Sequence, residues 1–320
     1  MIINSLIIDF LEYLEVDKGH SVLTVRNYDH YLRRFADFAQ KAGVETPEKI
    51  DQNLIHKYRL YLHRLADPSG KETISTSTAN YHLIALRSFL KYLTARGLAT
   101  LSPDRIELAK TGERQISFLN DEELEAILKQ PDLKTPQGLR DKAILDLLFS
   151  TGLRVSELCH LKRQDINLEK SEFSVVGKGG KVRVVFLDSE AKESLKSYLN
   201  IRNDKNEYLF ISYGHTNKLT TDNLQLTTGI TPRSVQRMIR KYAKAAGITK
   251  RVSPHTMRHS FATDLLMSGA DIRSVQQLLG HSSITTTQIY THVTDQHLEE
   301  VHQAFHGRRR QHPDQPPDKP

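Results

Sequence analysis

A chain of 320 residues, 38% hydrophobic and 26% charged, reads as about two folded domains able to bury a core without covalent staples. Lys and Arg number 45 against 38 Asp and Glu, a net charge of +7 that leans towards a polyanionic partner, although ordinary solubility charge accounts for it equally well. The single cysteine, Cys159, excludes an internal disulfide and a cysteine metal site, and no run approaches the ~20 apolar residues of a membrane helix.

The opening MIINSLIIDF has neither a basic leader nor a small-residue cleavage site, so no signal peptide is expected and the protein is placed in the cytoplasm. Leu6, Phe10, Leu11 and Leu14 recur at helical spacing, as do Val25, Tyr28, Leu32, Phe35 and Phe38. Thr46-Pro47-Glu48 reads as a cap with proline in the first turn. It opens either one helix or a short one and its successor, carrying Ile50, Leu54, Tyr58 and Leu62. After a loop at Asp67-Pro68-Ser69-Gly70, the residues Tyr81, Ile84, Leu86, Phe89, Leu90 and Leu93 mark a fourth helix, stopped near Gly97. Residues 1–105 are thus expected to form a four-helix domain, and the polar, aperiodic 106–117 a linker.

In residues 118–306, Asn120 and Glu123 pattern as a capping box, and Leu139 to Phe149 as an apolar helix ended by Gly152. Phe173–Val176 and Val182–Phe186 have strand composition and flank Gly177-Lys178-Gly179-Gly180, a hairpin turn. Helices are predicted near 189–202, 232–246, 254–267, 271–279 and 295–305, with 213–230 an exposed loop. The tail 307–320 lacks apolar residues and reads as disordered. The fold class is mainly α, with one small antiparallel sheet in a second, mostly helical α+β domain.

Ser253 and Pro254 are a helix start that places His255 and Arg258, three apart, on one face beside free backbone N–H groups, a setting suited to an anion. A capped helix with a surface ion pair would give the same pattern. Arg154 follows Thr151-Gly152 and can hold a phosphate through its planar fork, yet by itself it reads better as a helix-end partner of Glu157. Lys178 at the glycine turn can reach into a groove or donate a proton, with Lys181 and Arg183 close by, and it equally fits a solvated turn. His281 follows Gly280, and Tyr290 comes nine residues later. A tyrosine needs neighbouring cations or a base to act as a nucleophile near pH 7.

In this order TGLRVSEL (151–158), VVGKGGKVRVV (175–185), HTMRHSFAT (255–263) and LGHSSITTTQIYTHV (279–293) resemble the motifs of the tyrosine site-specific recombinases and phage integrases, most closely the Xer-type recombinases. The resemblance runs from about residue 5 to 305; a long 217–230 loop and the basic, proline-rich tail depart from it. It implies that Tyr290 attacks a DNA phosphate and forms a 3′-phosphotyrosyl link. Arg154 and Arg258 would hold the non-bridging oxygens, Lys178 would be the general acid, His255 an acid or base, and His281 a hydrogen-bond donor to the phosphate. It implies no cofactor and no metal. The N-terminal SAM-like helical domain would bind core DNA and, with a C-terminal catalytic domain, clamp the duplex. A homotetramer would exchange strands through a Holliday junction, with a partner recombinase or DNA translocase a further possible associate. The final helix, near 295–305, would pack into a neighbouring subunit, with Leu298, Val301 and Phe305 on one face.

Lys181, Arg183, Arg233, Arg237, Arg240 and Lys241 are candidate DNA contacts, and helices 76–96 and 232–246 candidates for groove entry. The implied task is chromosome or plasmid dimer resolution, with phage or transposon integration as the alternative. From other classes, a non-catalytic DNA-binding factor, a metal hydrolase built on His255, His259 and His281, and a type IB topoisomerase share part of the pattern.

Overall fold

The computed structural model describes residues 1–65, 73–112, 117–177, 180–213 and 229–280. The chain divides into two compact units, Met1–Arg114 and Gln115–Pro320.

The described part of the first unit is helical: α1 (Ile3–Val16), α2 (Val22–Lys41), α3 (Gln52–Arg64) and α4 (Thr76–Ala95). Side chains at the helix starts fix the boundaries. Ser21, Asp51 and Ser75 each accept a backbone N–H of the first turn of α2, α3 and α4, satisfying donors that a helix start leaves open. Pro47 opens only a short 3₁₀ turn to Lys49, and Asp51 starts the long helix, so the two-segment version is the one adopted. Phe10, Phe35, Tyr58 and Phe89 fill the core, with Phe10 and Phe89 ring centres 5.6 Å apart. Tyr81 and Ile84, counted above with the apolar stripe of α4, are exposed; His82, Leu83 and Ala85 turn inward instead. His82 lies between Tyr58 Oη and Arg34 Nη1, each 3.3 Å away. Burial, reinforced by the charges of Arg34 and His30, lowers its pKa to about 4 and keeps it neutral. Ile106, at the head of the polar stretch, is buried in this core, and the Asn80 side chain makes a two-way bond with the backbone of Ala109.

The second unit is built on α6 (Pro136–Thr151), preceded by α5 (Asp121–Leu128). Helix α6 is buried nearly all round and packs against α8 (Ser189–Asn200) and α10 (Pro254–Met267). Short α7 (Val155–His160) follows, then the antiparallel pair β1 (Glu172–Val176) and β2 (Val182–Phe186), in register from Glu172↔Phe186 to Val176↔Val182. The turn closes through Gly177 N–H donating to the Lys181 carbonyl at 2.7 Å. Helix α9 (Pro232–Ala245) is tied to α6 by the Tyr242 hydroxyl, which donates to Asp141 at 2.8 Å while Arg140 holds the other carboxylate oxygen. Helix α11 (Ile272–Leu279) packs on α10 through Ala262, Leu266, Val275 and Leu279. Among the described residues no helix is long and apolar enough to cross a membrane. The loop 214–228, the helix expected near 295–305 and the tail 307–320 lie outside the described residues.

Candidate active site

Helix α6 ends on Gly152 in the left-handed conformation, φ 60°. A Cβ there would stand 2.4 Å from the Phe261 ring of α10, so only glycine lets the two helices close at this point. The sharp exit places Arg154 at the start of α7. Across from it, Ser253 caps α10 by accepting from Thr256 N–H, with Pro254 in the first turn, and His255 and Arg258 follow on that helix.

Arg258 is 5% exposed; its Nη1 donates to the Gly152 carbonyl at 2.5 Å and its Nη2 to the Leu279 carbonyl at 2.6 Å. Arg154 donates from Nη1 to Glu157 Oε1 at 2.8 Å and from Nη2 to the Gly280 carbonyl at 3.4 Å. Its backbone N–H also donates to Glu157 Oε2 at 2.9 Å. Arg183 of β2 grips the same carboxylate with both terminal nitrogens, at 3.0 and 2.7 Å, and its Nε donates to the Leu278 carbonyl at 3.1 Å. Three guanidiniums from three elements therefore meet three successive carbonyls, Leu278, Leu279 and Gly280, at the end of α11. Those carbonyls lack intrahelical donors and carry the negative end of the helix dipole.

Charge settles the protonation states. Burial alone would raise the Glu157 pKa; the Arg183 hydrogen bonds and charge, with the bonds from Arg154, overturn that and hold it at about 2. His255 is lowered, first by partial burial and then by the charges of Arg258 and Arg154, so it is neutral near pH 7. His259, one turn on, is lowered to about 4 by burial and then by His255 and Arg258.

The structure thus brings Arg154, His255 and Arg258 into one charged cluster. His281 directly follows Gly280, whose carbonyl touches Arg154; His281, Tyr290 and Lys178 themselves lie outside the described residues. Lys181 is exposed beside the hairpin turn. Arg183, expected among the DNA contacts, is turned inward with its side chain 10% exposed, because Glu157 claims both ends of its fork. The period of two in β2 carried that signal: Arg183 shares the inner face with buried Val185. Arg233, Arg237, Arg240, Lys241 and Lys244 are exposed on α9, while Val235, Met238, Ile239 and Tyr242 of the same helix are buried. Among the described residues no three His, Cys, Asp or Glu side chains gather as metal ligands.

Residues 117–297 match the model of the phage integrase family, and residues 7–97 match its N-terminal SAM-like domain. The chain belongs to the phage integrase family of tyrosine recombinases. It is 37% identical over 312 residues to the tyrosine recombinase XerD of Listeria innocua, covering 95% of this chain and 99% of that one. Identity to the tyrosine recombinase XerC of Thermodesulfovibrio yellowstonii is 38% over 306 residues, covering 94% and 95%. Among solved structures, the XerA recombinase is similar at 31% identity and TM-score 0.50, covering 94% and 98%. The Tn1549 transposon integrase in complex with transposon right end DNA shares the fold at 17% identity and TM-score 0.73, covering 94% and 99%. This tyrosine recombinase thus has relatives similar to it over nearly its whole length.

Proposed function

We propose that the protein is a site-specific DNA recombinase that cuts and rejoins duplex DNA through a 3′-phosphotyrosyl intermediate and a Holliday junction. The observation that carries this reading is the meeting of Arg154 and Arg258 at the carbonyls that directly precede His281, close enough to neutral His255 for both charges to act on it. Two planar forks can take the non-bridging oxygens of one phosphate, and preorganised cations stabilise the charge that builds there. The Tyr290 oxygen attacks phosphorus; the P–O5′ bond breaks, and Lys178 gives its proton to the departing 5′-oxygen. A free 5′-hydroxyl of the other duplex then attacks the phosphotyrosine, releasing Tyr290 and restoring the phosphodiester. His255 acts as acid or base, taking the tyrosine proton during cleavage and returning it on rejoining, and His281 donates to the phosphate. The bond energy stays in the protein–DNA ester, so the chemistry calls for neither a metal nor a nucleotide.

In this reading the first unit is the core DNA-binding domain, which keeps Ile106 in its core, and the second is the catalytic domain, and the protein acts on DNA as a homotetramer. Helices α4 and α9 approach the grooves, and the exposed Arg233, Arg237, Arg240 and Lys241 meet phosphates. The task is chromosome or plasmid dimer resolution in the cytoplasm, with mobile-element integration as the alternative and a second recombinase or a DNA translocase as partner; similarity to proteins named XerC and XerD is consistent with that task. A suicide duplex, nicked beside the cleavage position of the protein's own recombination site, tests the chemistry. The intact protein should form a covalent DNA adduct in the presence of a chelator. Tyr290→Phe should bind the same DNA and form none. No adduct from the intact protein, or an adduct from Tyr290→Phe, overturns the reading.

A further inference from the structure

We propose that Arg183 is a positioning residue for cleavage: through Glu157 it sets the Arg154 guanidinium, and through the Leu278 carbonyl it fixes the end of α11 that leads into His281. This rests on the recombinase reading above and adds a residue that touches no substrate atom.

The geometry separates Arg183 from the surface basic residues. All three of its donor nitrogens are committed, two to Glu157 and one to Leu278, and its side chain is nearly buried. Glu157 in turn takes the backbone N–H and Nη1 of Arg154. One carboxylate thus sits between an arginine that faces the candidate site and one that does not. Without Arg183, Glu157 would keep Arg154 as its hydrogen-bonding cation, and α11 would lose one of the three guanidiniums at its last carbonyls. Gly280 adds a second constraint: it is left-handed at φ 63°, and a Cβ there would stand 2.9 Å from Arg183 Cδ. The aliphatic stem of Arg183 therefore packs against the turn into His281 while its head holds the carbonyl two residues earlier. Only a side chain with a planar fork and a third, inner N–H can bridge a carboxylate and a backbone carbonyl at once; lysine has a single nitrogen.

The test measures single-turnover cleavage of the suicide duplex by the full chain, with DNA affinity and thermal unfolding recorded alongside. Arg183→Met alone leaves Glu157 short of a partner, so the double variant Glu157→Gln with Arg183→Met, which removes both charges, controls for simple destabilisation. Arg183→Met and the double variant should both bind DNA within about twofold of wild type and cleave at least about tenfold more slowly, and Arg183→Lys should fall between. The same cleavages are run on a duplex with sulfur in place of the bridging 5′-oxygen, whose thiol leaving group needs no protonation. The deficit should persist there. Cleavage at the wild-type rate in the double variant overturns the proposal and leaves Arg183 a stability residue only. Recovery on the sulfur duplex also overturns it, by tracing the effect to the hairpin lysine and leaving-group protonation. If the wild-type protein forms no adduct on either duplex, it is the recombinase reading that fails instead.

Discussion

Glu157→Gln removes the charge at the centre of the arginine cluster while keeping the shape of the side chain. The carboxylate is 5% exposed and receives four hydrogen bonds, two from Arg183 and two from Arg154. Its pKa of about 2 lies below the ordinary 4.5. At 1.36 kcal/mol per unit, that difference corresponds to about 3 kcal/mol of stability near pH 7, within the range for breaking a buried pair from one side. Because the folded carboxyl has the lower pKa, the wild type holds this contribution fully above pH 4.5 and loses it as pH falls towards 2. Less than half of it remains at pH 3. The glutamine variant has no carboxyl to protonate, so its deficit should shrink with acid. Urea unfolding of both proteins at pH 7 and at the lowest pH where both remain folded measures the gap, and at pH 7 the midpoint of thermal unfolding should drop by roughly 6–12 °C. A gap of equal size at both pH values would refute the reasoning, since it would place the loss in packing and not in the ion pairs.

Gly152→Ala should destabilise the second unit by roughly 1–3 kcal/mol from left-handed strain alone, and by more because the new methyl meets the Phe261 ring at 2.4 Å; calorimetry of the purified variant checks it. Arg154→Lys should lower the rate of adduct formation by about 10²–10³ with little change in DNA affinity, because one ammonium cannot replace a fork that spans Glu157 and Gly280; near-normal turnover would contradict the role. Arg237→Ala and Arg240→Ala should each reduce the slope of log affinity against log salt by about 0.9, read from binding titrations at several salt concentrations. His255 should titrate below its ordinary range in the free protein, because burial and two arginines oppose its charge, and should move upward when a DNA phosphate neutralises those arginines; NMR titration of the imidazole in both states reports it.

Most of the fold was legible because its boundaries are written in local chemistry. Asn120 with Glu123, Ser253 with Pro254 and the glycine turn of the hairpin are short-range signals, and each forms as expected. The failures are places where a tertiary partner decides. The face of α4 shifts to bury His82 because Arg34 and Tyr58 come from other helices. Ile106 looked like linker because a single apolar residue has no period, although it plugs the first unit's core. At the candidate site Arg154, His255 and Arg258 could be picked from motif order. Arg154 proved to be both things at once, partner of Glu157 and member of the cluster, so the bland and the chemical readings of that residue were never exclusive. Arg183, expected among the DNA contacts, turns inward onto Glu157; basic residues beside a hairpin tip are normally solvated, and only strand alternation hinted otherwise.

Charge accounting explains why a glutamate belongs in a site meant for an anion. Three guanidiniums less the one carboxylate of Glu157 leave two positive charges, and His255 adds none while neutral. A phosphodiester brings one negative charge, and the five-coordinate state on the way to the phosphotyrosine brings about two. In the proposed reading this arginine cluster, counted without the Lys178 ammonium, keeps net positive charge with bound DNA and is matched by the charge of the transition state, a difference that would lower the barrier. Without Glu157 the net charge would grow to three, and the cluster would attract any phosphate of the backbone more strongly. In the proposed reading the glutamate both aims Arg154 and trims the field, while the carbonyls at the end of α11 hold Arg154 and Arg258 until a phosphate arrives.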